Sequence, residues 1–238
     1  MTFSYFGTDG IRGETSLEHL DEEDAILALT EHRTLHPSLM RVLGEALSHV
    51  QSLFPGNGQT VVVGWDDRPH NEAIVEALTL GLQLSGSEVI HIGLCATPTP
   101  HAAVLHNNAR MGCMITASHN PVSDSGIKVF DAHGFKTTPL QEQEISRTLF
   151  ALASEEREVN LDEQKRLSEP ALRMAHNWAE TFHQTWLERR WADFEGVFGG
   201  CSASVQNGRI ASPFYLDCAH GAGASWLANF LTMRGIET

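Results

Sequence analysis

Residues 60–93, TVVVGWDDRPHNEAIVEALTLGLQLSGSEVIHIG, decide the fold class. The β-branched run 60–65 is bounded by turn residues and suits a strand covered on both faces. Asn71 caps a helix carrying Ile74, Val75, Leu78 and Leu82, and Gly86 closes it before the strand-like 89–93. Toward the amino terminus, Leu39, Val42, Leu43, Ala46, Leu47 and Val50 follow helical spacing behind Pro37, and Pro55 to Gly58 end that helix. Residues 14–36, with Glu18, Asp21, Glu22, Glu23 and Asp24 clustered, read as an acidic, solvated insertion. Toward the carboxyl terminus, Thr97 to Pro100 turn the chain into a short helix through Ala102, Val104 and Leu105, and 112–116 and 127–130 are strand-like. The alternation predicts a layered α/β domain over residues 1–150.

Residues 151–212 read as a helical connection and linker. The part to residue 195 is polar and helical, with Trp178, Phe182, Trp186 and Leu187 on a partial apolar face, and 196–212 is turn-rich. A strand over 213–218, a tight turn at Gly221 to Gly223 and a helix over 225–234 then begin a second domain. One strand and one helix cannot bury their own faces, so 213–238 is expected to be the incomplete start of that domain.

Charge narrows the partners. Thirty acidic against sixteen basic side chains give a formal charge of −14, which repels nucleic acid and anionic lipid, so an anionic ligand must be held by a few local cations. No apolar run approaches the roughly 18 residues that cross a bilayer, and the first residues lack the basic and apolar regions of a secretory leader. Cys95, Cys113, Cys201 and Cys218 form no Cys-x-x-Cys pair, and reduced thiols in a cytoplasmic protein are expected. His32 and His36, four apart, stand in a charged segment without a His-Glu-x-x-His pattern.

Three segments carry chemistry. Thr116-Ala117-Ser118-His119-Asn120-Pro121 follows a strand, and ligands of open α/β sheets gather at the carboxyl ends of strands. The next strand brings back Lys128, so a serine nucleophile and a proton-moving lysine can share one pocket. The same string also satisfies a plain turn. A serine hydrolase is disfavoured, because adjacent Ser118 and His119 point apart and no Gly-x-Ser-x-Gly elbow exists. Phe6-Gly7-Thr8-Asp9-Gly10-Ile11-Arg12-Gly13 lets backbone approach a ligand closely, and Arg12 offers a planar fork for phosphate oxygens. Gly64-Trp65-Asp66-Asp67-Arg68-Pro69 puts a second arginine just beyond a strand.

With Thr97-Pro98-Thr99-Pro100, Gly126-Ile127-Lys128-Val129-Phe130 and Leu216-Asp217-Cys218-Ala219-His220-Gly221-Ala222, these segments in this order resemble the α-D-phosphohexomutase superfamily. The resemblance implies a layered α/β/α first domain with a mixed sheet and a similar second domain. It implies an isomerase in which Ser118 carries a phosphoryl group, passes it to a sugar monophosphate and recovers the other phosphate from a bisphosphate intermediate. Glucosamine 6-phosphate and glucosamine 1-phosphate are the implied pair, serving amino-sugar nucleotide and cell-wall precursor synthesis; mannose and glucose phosphates are the alternatives. Lys128 is implied to move the hydroxyl proton, Arg12 to steady the phosphoserine and His119 to support it. Arg68 and Asn120 are implied to bind phosphate. The implied cofactors are Mg²⁺, bound through the Ser118 phosphate and three aspartates, and a sugar bisphosphate primer.

The family's Asp-Gly-Asp-x-Asp-Arg metal loop and its Arg-x-Ser-Gly-Thr phosphate-gripping segment do not occur in these 238 residues, and both are expected beyond Thr238. The chain alone is therefore expected to be nearly inactive, with the carboxyl-terminal half or further copies of the chain as partners. Trp65, Asp67, Ser125 and the 14–36 insertion depart from the family pattern. A noncatalytic sugar-phosphate-binding homologue is the competing reading.

Overall fold

The computed structural model describes residues 5–155, 158–199 and 214–238. Seven strands form one sheet in the order β2-β1-β6-β5-β3-β4-β7. They are β1 (Ile11–Thr15), β2 (Thr34–Leu35), β3 (Thr60–Trp65), β4 (Glu88–Leu94), β5 (Met111–Ile115), β6 (Asp124–Asp131) and β7 (Leu172–Arg173). Every pairing is parallel except those of β6, which runs antiparallel to both β1 and β5. The sheet is therefore mixed, and the start of β6 lies beside the ends of its neighbours.

Strand β3 is buried on both faces, as its unbroken β-branched sequence requires. Val61 and Val63 enter one apolar cluster with Ile74, Leu78, Leu43, Leu47, Ile127 and Leu149. Helices α1 (Glu22–His32), α2 (Pro37–His49), α3 (Asn71–Leu84) and α5 (Pro139–Ala153) cover that side. Val62 faces the opposite cluster with Ile92, Met114, Val104 and Phe130, under α4 (Pro98–His106) and α7 (Trp178–Phe198). The architecture is α/β/α. Helix α6 (Leu161–Leu167) packs beside α3, and β7 extends the sheet from β4.

Residues 14–36 are not a solvated insertion. Ala25, Ile26 and Leu29 of α1 are buried against the core, Asp21 caps the helix through its side chain, and Leu35 of β2 is also buried. Arg41 of α2, paired with Glu45 of its own helix, ties α1 down by an ion pair to Glu22. The acidic face is real, but it is the outer face of a packed helix. Asn71 is also reassigned: His70 occupies the cap position, and the Asn71 amide donates to Asp66 instead.

Residues 214–218 form no strand, while Pro213, Cys201 and most of the turn-rich 196–212 stretch lie outside the described residues. The final helix, α8 (Leu227–Thr232), is shorter than the expected 225–234. Just before it, Trp226 sets its ring 5.1 Å from His183 of α7 in an edge contact, and Phe230 packs beside Trp226. Among the described residues no helix is long and apolar enough to cross a membrane. Cys95 and Cys113 are buried, and burial pushes the Cys113 thiol up to about 12.

Candidate active site

The ends of β3 and β5 and the start of β6 meet on one side of the sheet, and the loop 116–124 lies across them. Its support is Arg68. Nη2 donates to the carbonyl oxygens of Ser118 at 2.6 Å and Asn120 at 3.3 Å. Nη1 donates to those of Pro121 at 2.6 Å and Asp124 at 2.9 Å, and Nε donates to Asp66 at 3.1 Å. A guanidinium has five N–H groups, and all five are used inside the chain. Arg68 therefore has no donor left in this structure, and its place is under the loop, holding it.

A second layer fixes the same loop from below. Asp66 accepts from the Thr116 hydroxyl at 2.6 Å and from the Asn71 amide at 2.7 Å, and Asn71 accepts from the buried Ser125 hydroxyl at 2.6 Å. The Thr116 oxygen in turn accepts the Ser118 N–H at 2.8 Å. Ser118 is thereby held at φ 61°, in the left-handed region that non-glycine residues rarely occupy. Such conformations cost energy and persist where the surroundings over-determine them. Ser118 and His119 are exposed, and the His119 side chain takes no hydrogen bond among the described residues.

Cations approach from β1 and β6. The turn Gly7 to Gly10 is closed by the Gly7 N–H on the Gly10 carbonyl at 2.8 Å. Gly10 has φ 94°, and a β-carbon there would lie 2.0 Å from the Ile127 carbonyl oxygen, so only glycine lets the turn lie this close to β6. The turn places Asp9 against three cations: Lys128 Nζ at 2.8 Å, Arg12 Nη2 at 3.2 Å and Lys136 Nζ at 2.5 Å. Partial burial works against the charged carboxylate, but the hydrogen bonds and attraction of Lys128 and Lys136 outweigh it and hold Asp9 at about 2. Arg12 Nη1 also reaches the Asn120 side-chain oxygen at 3.4 Å, and Asn120 donates to Asp124 at 2.9 Å. Asn120 thus joins the serine loop to the cation cluster.

The structure brings Arg12, Lys128 and Asn120 into one connected site with the Ser118 loop, places His119 beside it in solvent, and puts Arg68 beneath it. Asp9, Lys136, Asp66 and Thr116 belong to the same constellation and were not singled out as site residues. Among the described residues the Mg²⁺ implied by the resemblance finds no ready donor set. Asp9 is held by three cations, Asp66 by Arg68, Thr116 and Asn71, and Asp124 by Asn120 and Ser123. Among the described residues no three His, Cys, Asp or Glu side chains are grouped to hold a metal ion.

The chain belongs to the phosphoglucomutase/phosphomannomutase family: residues 4–156 match its alpha/beta/alpha domain I. Within that family it is similar to bacterial phosphoglucosamine mutases. That of Macrococcus caseolyticus is 40% identical over 147 residues, covering 62% of this chain and 29% of the relative, and that of Frankia alni is 32% identical over 232 residues, covering 98% and 44%. A crystal structure from Thermus thermophilus, described as a phosphomannomutase, superposes with a TM-score of 0.66 at 28% identity, over 98% of this chain and 44% of that one. The chain thus spans less than half the length of these relatives.

Proposed function

We propose that this chain contributes the phosphoserine side of a cytoplasmic phosphohexomutase that interconverts glucosamine 6-phosphate and glucosamine 1-phosphate. The observation that carries the reading is an exposed serine in a left-handed conformation, clamped from below by Arg68 and joined through Asn120 to the Arg12, Lys128 and Lys136 cluster. Phosphoryl transfer depends chiefly on positioning and charge neutralisation, and this arrangement supplies both on an acidic protein.

In the proposed cycle a sugar hydroxyl attacks the phosphorus on Ser118, the P–Oγ bond breaks, and the phosphoryl group passes to the sugar. The Lys128 ammonium gives a proton to the departing Oγ and regains one from the attacking hydroxyl, so the charge balances. The bisphosphate turns over and the reverse step returns its other phosphate to Ser118. Arg12 steadies the transferring group, and His119 supports it from the open side. Lewis-acid stabilisation of the phosphoryl oxygens by Mg²⁺ would need grouped carboxylates that the described residues do not provide. Because the chain spans less than half of its relatives' length, turnover is proposed for the assembled enzyme, and these 238 residues alone are expected to give little or none.

The test is mass spectrometry of the chain after incubation with glucosamine 1,6-bisphosphate or protein purified from its native cells. A single phosphate on Ser118, absent in Ser118→Ala, supports the proposal. An unmodified serine under both conditions overturns it in favour of a noncatalytic sugar-phosphate-binding homologue. The Thermus neighbour favours a second substrate, mannose phosphate, and comparing amino-sugar with hexose bisphosphates as donors separates the two.

A further inference from the structure

Asp9 has an unusual set of neighbours. Among the described residues its two carboxylate oxygens pair only with cations, and three of them share its single negative charge. Asp66 and Asp124, by contrast, are engaged with neutral side chains or with the loop clamp. Three like charges repel one another, and one carboxylate compensates only part of that cost. The surplus positive charge matches a phosphomonoester dianion better than it matches aspartate.

The cluster is also graded from inside to outside. The side chain of Lys128 is 11% exposed and that of Arg12 21%, whereas Lys136 is 58% exposed. Lys136 is nevertheless not on a loose tail. It pairs across a β-bridge with Phe130, and the intervening turn is closed by the Asp131 side chain, which accepts the His133 and Phe135 N–H groups at 2.9 Å. His101 of α4 reaches the Gly134 carbonyl at 2.7 Å. An ion pair this exposed adds little to stability, so a fold built to deliver Lys136 to Asp9 points to a ligand.

We propose that Asp9 is a built-in placeholder for phosphate and that Lys136 is a phosphate-binding residue, releasing Asp9 to grip a phosphomonoester dianion that enters the cluster. The identity of the ligand as a phosphomonoester rests on the proposed function. The cations stay gathered by Asp9 while the seat is empty and are handed over when the dianion arrives, which spares the ligand the cost of assembling them.

The experiment is calorimetric titration of inorganic phosphate into the full chain carrying Ser118→Ala, so that no transfer intervenes. Adding Lys136→Met is expected to weaken phosphate binding about tenfold, the loss of one charge-assisted hydrogen bond, with Lys136→Arg recovering most of it. Adding Asp9→Asn is expected to tighten binding several-fold, because a competing anion is removed. Weaker binding in Asp9→Asn, unchanged binding in Lys136→Met, or no binding at millimolar phosphate overturns the proposal. If Asp9→Asn proves poorly folded, the NMR signal of the Lys136 ammonium decides instead: it shifts on adding phosphate if Lys136 changes partner, and a fixed signal overturns the proposal. The correct binding signs together with a Ser118 that never carries phosphate would leave this inference standing and remove the proposed function.

Discussion

Arg68 Nη2 lies 2.6 Å from the carbonyl oxygen of Ser118, so the residue that presents the hydroxyl is held by its backbone from the opposite side. The clamp depends on a planar fork with donors in several directions. Lysine has one charged nitrogen and cannot reach Asp66 and four carbonyls together. Arg68→Lys should therefore cost about 2 kcal/mol, given the worth of charge-assisted hydrogen bonds. Urea denaturation reads that loss, and faster amide exchange across 116–124 locates it.

Ser118 at φ 61° separates two substitutions that remove the same hydroxyl. Ser118→Gly relieves the left-handed strain and Ser118→Ala keeps it, so the glycine variant should be more stable by about 1 kcal/mol. Equal denaturation midpoints would show that the loop relaxes once the hydroxyl is gone.

Gly10→Ala drives a β-carbon into the Ile127 carbonyl and demands a backbone angle that alanine avoids. A loss of about 2 kcal/mol or more is expected. Asp9 should be lifted away from Lys128 as well. An NMR titration of Gly10→Ala should then find the Asp9 carboxyl closer to the ordinary aspartate range.

Two groups give the acid limb of stability different windows. His91 is buried, and desolvation first, then Arg173, lowers it from 6.5 to about 4. It is neutral in the fold, so stability is full above about 6.5 and falls by about 3 kcal/mol as the pH drops to about 4 and the unfolded chain takes up a proton. His183, lowered by burial, adds to the same slope. Asp9 is lowered from 3.8 to about 2. Solvent screens part of that pairing, so it contributes about 1 kcal/mol above pH ~4 and loses it between about 4 and 2. His91→Gln should flatten much of the upper window and Asp9→Asn the lower one, as read from urea midpoints against pH.

The regular elements are legible where one physical signal dominates. The β-branched run of β3 and the apolar spacing of α2 and α3 speak for themselves, because burial there is nearly complete. Helix α1 is hidden because its buried stripe is only Ala25, Ile26 and Leu29 under an acidic surface. The start of β6 is hidden because Asp124 and Ser125 look like loop, yet Ser125 is buried and bonded to Asn71. Within the site, motif order singles out Ser118, Lys128 and Arg12. It does not reveal that Arg68 faces inward, since nothing local distinguishes a guanidinium under a loop from one above it. Nor does it reveal Asp9 with Lys136, 127 residues apart, whose meeting depends on the β1–β6 pairing.

Strand β6 is locked between two antiparallel neighbours, with Ile127 opposite both Ile11 and Ile115 and Lys128 opposite Met114. That alignment works as a ruler for the chemistry. Sliding β6 by one position would turn Lys128 toward the helices of the opposite layer and bring Ile127 or Val129 to the serine side. The loop ahead of it, pinned by Arg68 at Ser118, Asn120, Pro121 and Asp124, leaves no slack for such a slide, so the span between hydroxyl and ammonium is set by loop and ladder together.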